Sequence, residues 1–509
     1  MRRTPPAAGA DCWACEDPAD TNRILIPPSR SGSVYRPAMS VINQAGCAII
    51  VCYSCLTMAL MYAWPSSTIK LFSSANTTLH RPMSENEIAL FGSFSSISAI
   101  FTTPFSGILL DRIGRKNSCI LFSLPQVVAW LIVSISSRVE AVLSAMFISG
   151  FGGCTLLLAP VFVSEFCQES VRGMMTSGSV IAYGLGILLS YLLGGCLEFN
   201  TMIYMCLSMS VLAVLLLWPL KESPLFLMKN GLENDAMKAV AFYRRVKETS
   251  KEVTQEINTL KRALKADLED VFPEEEKLKP ESKKQEKVSK WKFLKKSRST
   301  RQALFVALAL YSATMFQGLV AIQVYAEPVF EETLPNISST LSCVLLAVVS
   351  VVSSCVAAYL IDIAGRRPLM IYSSIGAGIC CVALGTQINL PWGPHWITGV
   401  FIYLFAIMYT LGAGTVPYVF VAEVFLPEVK SLVSMLSAEW AWICNFIILY
   451  IFIPLVSSVG LAPVFYIFGG VCFATAMFCT YLLPETKGLS VDVIQTLLVK
   501  SKRVQSVTC

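Results

Sequence analysis

Apolar positions along this chain gather in long runs instead of alternating. A helix needs about 20 mostly apolar residues to cross the hydrocarbon of a bilayer. Runs of that order fall at 43–64, 87–110, 117–136, 140–164, 174–198 and 201–220. After a polar interval, six more come at 302–326, 339–361, 368–388, 396–421, 432–455 and 461–483. The pattern predicts an all-α polytopic membrane protein with 12 transmembrane helices in two six-helix bundles. The expected division is an N-terminal tail (1–39), a first bundle (40–220), a polar linker (221–301), a second bundle (302–484) and a C-terminal tail (485–509). Glycine and proline inside some runs do not argue against spanning, since neighbouring helices satisfy the backbone groups they free.

Charge orients the helices, because basic residues stay on the cytosolic side. With both termini in the cytosol, only Lys70, Arg81 and Arg138 of the 40 lysines and arginines fall outside. The N-x-[ST] sequons at Asn76 and Asn336 then lie in outer loops, where glycosylation reaches them in a protein of the plasma membrane. The 221–301 segment holds 21 Lys+Arg and 14 Asp+Glu, with helical apolar spacing over 232–248 and 253–268. It reads as a solvated helical linker between the halves.

Composition narrows the function classes. The chain of 509 residues is 54% hydrophobic and 15% charged, against roughly a quarter charged in soluble domains. Its net charge of +6 sits in loops without interleaved aromatics, which speaks against nucleic-acid binding. The first 39 residues lack the apolar core of a cleavable leader and read as a disordered tail. Fifteen of the 18 cysteines lie in or beside apolar runs, where a thiol acts as a small hydrophobe. The Cys12–Cys15 pair has no second pair or strand–helix context, so it reads as incidental or lipidated and not as a metal or redox site. The two histidines, His80 and His395, fall in outer loops away from any nucleophile–base set. No enzyme, metal site or cofactor is expected, and oligomeric state leaves no mark. The expected partners are the lipid bilayer and a small polar solute.

Three motifs occur once in each half. Asp111-Arg112-Ile113-Gly114-Arg115-Lys116 follows the second run, and Asp362-Ile363-Ala364-Gly365-Arg366-Arg367 follows the eighth. Glu165 precedes Arg172 after the fourth run as Glu423 precedes Lys430 after the tenth. Glu222 follows the sixth run and Glu485 the twelfth. A duplicated six-helix unit is the natural reading, as in carriers that rock two halves about a midplane site. The glycines permit tight turns, and the arginines reach carboxylates on adjacent helices through two-pronged hydrogen bonds, with Glu165 and Glu423 as the expected partners. These residues are expected to gate the cytosolic mouth by making and breaking such pairs.

In order and position these motifs, with Pro484-Glu485-Thr486-Lys487-Gly488 the most specific, resemble the sugar-porter branch of the major facilitator superfamily (MFS). Trp64-Pro65-Ser66 and Pro82-Met83-Ser84 resemble its insect trehalose-transporter-like members. The resemblance implies the MFS fold, alternating access and a central sugar site. It departs at Val180, where hexose carriers place glutamine, at Gly318 and Gln323 in the seventh run, at Tyr418 for tryptophan in the tenth, and at Glu439 for asparagine in the eleventh. A sugar needs amides or carboxylates for its hydroxyls and aromatics for its C–H faces. Gln317, Gln323, Tyr325, Tyr418, Glu439, Trp440 and Asn445 supply that chemistry on matching runs. The first run has no acid where proton-coupled members carry aspartate, so facilitated diffusion of a hexose, trehalose or related polyol is expected. Glu439 keeps proton coupling or a cationic metabolite as alternatives, and a non-transporting sugar sensor is a third.

Overall fold

The structure, a computed structural model, describes residues 38–269, 297–425, 427–489, 491, 493–494 and 496. Twelve helices in it are long and apolar enough to cross a membrane. They are Met39–Ser73, Glu85–Ile113, Arg115–Ile135, Val139–Phe166, Glu169–Cys196, Phe199–Leu217, Arg298–Val324, Ser339–Ala364, Arg366–Asn389, Trp396–Val424, Leu432–Val459 and Leu461–Leu482, called here the first to twelfth spans. The first runs well past the expected end, through Pro65 to Ser73. A proline in a long apolar helix is tolerated where neighbours cover the freed carbonyl, and Trp64 beside it is buried among Phe72, Phe91 and Trp130.

Three spans are interrupted, each next to glycine. The fourth passes through a 3₁₀ turn at Phe151–Cys154. The seventh breaks between Phe316 and Leu319, where Gly318 has φ +100° and a Cβ would strike the Phe468 ring. The tenth breaks between Leu411 and Val416. Side chains catch the carbonyls that the breaks release. Gln126 donates to Ser149 O (2.9 Å), Tyr409 Oη to Thr314 O (2.6 Å) and Thr314 Oγ1 to Ala413 O (2.9 Å).

The loops holding Gly114 and Gly365 share one face of the molecule, called here the basic face. The sequons lie on the opposite face, with Asn76 and Asn336 both exposed.

The polar interval departs from a solvated linker. Helices form at Pro224–Lys229, Glu233–Arg244 and Lys251–Glu269, and Ala236, Val240, Val253 and Ile257 make a small apolar core between them. That unit docks on the first bundle. Tyr243 is buried and stacks on Phe166 at 4.4 Å, Arg244 donates to Phe166 O (2.8 Å) and is paired by Glu256, and Asn43 donates to Phe242 O (2.9 Å). Periodicity showed the helices but could not show their target. Residues 1–37, which include the Cys12–Cys15 pair, residues 270–296 and residues 497–509 lie outside the described residues.

Replacing Tyr243 with alanine removes the stacked ring from this dock. The expected cost is about 3 kcal/mol, or about a hundredfold more of the undocked linker. Trypsin cleavage at Lys247 and Lys251 in purified protein should accelerate accordingly.

Candidate functional site

On the basic face each motif loop closes on a carboxylate. Gly114 turns the chain with φ +94°, and a Cβ there would collide with Glu222. The Glu222 carboxylate accepts Arg115 N (2.7 Å), Lys116 N (3.0 Å) and Ser223 N (2.9 Å), capping the N-terminus of the third span where the helix dipole favours an anion. The Arg115 side chain turns inward to Glu165 (2.9 Å), with further bonds to Leu110 O (3.1 Å) and Asp111 (3.4 Å). Ser223 Oγ donates to the same Glu165 carboxylate.

The second bundle repeats the arrangement. Gly365 has φ +86°, and Glu485 accepts the backbone N–H of Arg366 (3.0 Å), Arg367 (3.1 Å), Thr486 (3.0 Å) and Lys487 (2.9 Å). Partial burial pushes the Glu485 carboxyl up, but these four donors outweigh it and hold the group below the usual carboxylate range. Arg366 pairs with Glu423 (2.6 Å) and Asp362 (3.1 Å), and Thr486 Oγ1 donates to Glu423 (2.7 Å).

The expected arginine–carboxylate pairs are present, and each lies within one half. Arg115–Glu165 and Arg366–Glu423 each join helices of one bundle, so neither ties the two bundles together. The partner in each loop is the arginine after the glycine, because only that residue begins a helix and points back into the bundle. Arg112 and Arg172 are exposed with no described partner, Arg367 reaches Thr480 O (2.6 Å), and Lys430 reaches Ala422 O (2.7 Å).

The bundles meet along a different seam. Asn445 Nδ2 donates to Ser96 Oγ (2.9 Å) near mid-span, and Tyr62 Oη donates to Asn445 Oδ1 (3.4 Å). Toward the sequon face, Tyr191 Oη donates to Gln323 O (2.5 Å), Glu327 N donates to Ser66 Oγ (3.0 Å), and Lys70 pairs with Glu331. Glycines allow the close approaches: Gly92 meets Tyr325, Gly153 meets Trp442, Gly184 meets Val351 and Gly195 meets Thr340. All of these lie at or beyond mid-span toward the sequon face. Toward the basic face, Phe101 and Phe105 on the second span, Tyr418 on the tenth and Trp440 on the eleventh are exposed.

The seam divides the sequence-selected binding residues. Tyr418 and Trp440 sit on its open side, Tyr418 edge-on to Tyr311 at 5.2 Å and Trp440 donating from Nε1 to Ser312 Oγ (2.8 Å). Glu439 lies beside Trp440, with Oε2 buried and without a hydrogen-bond partner. Asn445 forms the clasp itself. Tyr325 is buried on the sequon side, stacked on Phe452 and donating to Leu449 O (2.8 Å). Gln323 gives the seam its carbonyl. Gln317 is fully buried and donates to Ser374 Oγ (3.3 Å) inside the second bundle, its Oε1 left unpartnered. In this arrangement Gln317 and Tyr325 do not reach the open side.

Sequence reasoning missed Tyr62, Ser96, Tyr191, Trp442 and the Lys70–Glu331 pair. The pair had a signal, since Lys70 is one of few cations on its face. The other four are ordinary residues of apolar helices, and only the crossing geometry picks them out.

The Arg115 and Glu165 side chains are 6% and 9% exposed, against 29% for Glu423. Breaking a buried pair strands the remaining charge. Glu165→Gln should therefore destabilise the protein by about 3 kcal/mol and Glu423→Gln by about 1–2 kcal/mol, read as the order of their melting temperatures in detergent.

The chain matches the family model described as "Sugar (and other) transporter" over residues 41–498. It is 24% identical over 489 residues to the facilitated trehalose transporter Tret1 of Drosophila yakuba, covering 93% of this chain and 54% of that protein. The Tret1 of Polypedilum vanderplanki is 24% identical over 490 residues, covering 93% and 92%. This chain thus spans about half the length of the first curated relatives it matches. Among solved structures, the inward-open xylose transporter XylE of E. coli superposes with TM-score 0.70 at 17% identity, covering 88% of this chain and 98% of that one. XylE bound to 6-bromo-6-deoxy-D-glucose gives 0.66 at 18% identity, covering 91% and 100%. With twelve spans in two clamped bundles and a family match across nearly its whole length, this chain belongs to the "Sugar (and other) transporter" family of the major facilitator superfamily.

Proposed function

We propose that this protein is a carrier that moves a hexose, trehalose or a related polyol across the plasma membrane by alternating access, without performing chemistry on it. The observation that carries the reading is the one-sided seam. The bundles are joined from mid-span to the sequon face, while Tyr418 and Trp440, the aromatic and hydrogen-bonding groups suited to a sugar ring, are exposed on the other side. The relatives' printed names, facilitated trehalose transporter and xylose transporter, point to the same substrate class.

With the basic face in the cytosol, this arrangement is inward-facing. Substrate enters from outside when the Lys70–Glu331 and Asn445–Ser96 contacts part and the basic-face ends close. The clamps built on Glu165, Glu222, Glu423 and Glu485 keep each bundle rigid while it tilts. They also fix where Asp111, Arg112, Asp362 and Arg367 stand when the two loops approach in the opposite state. Movement runs down the sugar gradient, since the first span contains no acidic residue.

Counterflow in proteoliposomes tests the reading: radiolabelled trehalose or glucose should accumulate transiently against the unlabelled sugar. Trp440→Ala should raise KM about tenfold, the loss of one stacking contact of about 1.4 kcal/mol. No counterflow with any sugar or polyol would overturn the assignment.

Orientation has a separate check. Asn76→Gln and Asn336→Gln should each remove one glycan-sized shift on gel electrophoresis after expression in insect cells, which places the sequon face outside.

A further inference from the structure

Glu439 is the deepest charge in the membrane part of this molecule. It stands in the helix Pro427–Val459, about 18 Å from its start at 1.5 Å per residue. Every other Asp, Glu, Lys or Arg of the twelve spans lies within a turn of a helix end or break. The carboxylate has no described hydrogen bond or ion pair, and Oε2 is buried. It lies on the open side of the Asn445–Ser96 clasp, about 9 Å nearer the basic face at 1.5 Å per residue.

Among the described residues, its surroundings hold no cation. The fourth span brings Cys154, whose thiol contacts Thr103 Oγ1 of the second span (3.8 Å). The second span has no titratable residue between Glu87 and Asp111, the seventh brings Tyr311 and the tenth Tyr418. The twelfth brings only cysteines and tyrosines, and the Leu319–Val324 helix brings nothing titratable. The arginines and carboxylates of these spans all stand at helix ends, several turns away. The residue is half-buried on the open side, so water reaches it there although Oε2 itself is covered. When the basic-face ends close, that water leaves and Glu439 faces Thr103, Cys154 and the exposed ring of Phe101. An ionised carboxylate without a partner costs several kcal/mol in such a place, and a neutral sugar brings no charge to offset it.

We propose that Glu439 is a proton-binding site, and that the carrier closes its basic-face side only with this carboxyl protonated, whether sugar is bound or not. The inference rests on the alternating-access reading above. A proton from water adds to the carboxylate before closure and returns to water when that side reopens. Loaded and empty carriers cross with the same proton, so none is moved net per sugar and transport stays downhill. Protonation sets the rate, and the outward-facing population falls as pH rises through the pKa of the group.

The test uses the full chain without substrate. Nitroxides attached at Ser73 and Glu332, on opposite rims of the sequon face, report opening of that face by pulsed dipolar spectroscopy. The long-distance population should grow as the pH is lowered from about 8.5 to about 5, while Glu439→Gln should show the acid-form distribution throughout. Sugar exchange at equal pH on both sides should fall about tenfold per unit above the pKa in the native chain and stay flat in E439Q. A native distribution unchanged across this range, or an E439Q protein that keeps the native pH response, overturns the proposal. Alkalinisation of the medium on adding sugar replaces the shuttle with symport and overturns it too. A rate that rises with pH and a preference for glucosamine over glucose would make a cationic substrate the missing partner and equally overturn it. A pH-dependent rim distance with no sugar flux would sustain the proton site and sink the substrate assignment instead.

Discussion

Hydrocarbon offers no partner to a bare peptide group or a charge, and each feature of this molecule answers that constraint. The reversals on the basic face need glycine at positive φ, which exposes the first amides of the third and ninth spans. Glu222 and Glu485 cover those amides. The same turns aim Arg115 and Arg366 into the bundle, where Glu165 and Glu423 neutralise them. The broken fourth, seventh and tenth spans keep their freed carbonyls paired through Gln126, Thr314 and Tyr409. Broken helices are where a carrier exposes polar surface at membrane depth, and here each break is braced from a second helix.

Charge pairing is thus spent inside the bundles, and what holds the two bundles together is of another kind. The seam consists of neutral hydrogen bonds, one ion pair at the exposed rim and glycine contacts at helix crossings. Single hydrogen bonds between membrane helices contribute on the order of 0.6 kcal/mol, and an exposed ion pair contributes no more than about 1 kcal/mol. A buried Arg–Glu pair that loses one partner costs several times that. Under the proposed alternating access, the difference decides which contacts part: the seam opens while the clamps hold.

Much of this was legible in the sequence. Each of the twelve spans follows from run length, and the motif acids fall where their duplicated spacing put them. The arginine partner was half legible. Glu165 and Glu423 were marked as the acceptors, but which of two neighbouring arginines turns inward depends on where the helix restarts after glycine. The seam was not legible, because Tyr62, Ser96 and Gly92 carry no signal apart from the helices they face. The binding set mixed two kinds of residue for the same reason. Trp440 and Tyr418 keep ring surface exposed, although the Trp440 indole N–H is taken by Ser312, whereas Gln317 and Tyr325, just as polar on paper, are buried and spend their donors on Ser374 and Leu449 within their own bundle.

The linker breaks the symmetry of the two halves. Tyr243 and Arg244 grip Phe166, the residue after Glu165, and Asn43 at the start of the first span holds the end of the linker helix through Phe242 O. One carbonyl, one side-chain amide and a ring at the basic end of the first bundle are therefore tied to a three-helix unit with a core of its own. Among the described residues, the equivalent end of the second bundle is held by the segment through Thr486 and Lys487 and by the buried Ile494 beyond it. The Glu423 pair there is correspondingly more open to water than the Glu165 pair. Under the proposed function, the second bundle, which bears Trp440 and Glu439, is the half that carries the candidate site through the swing, while the linker braces the first.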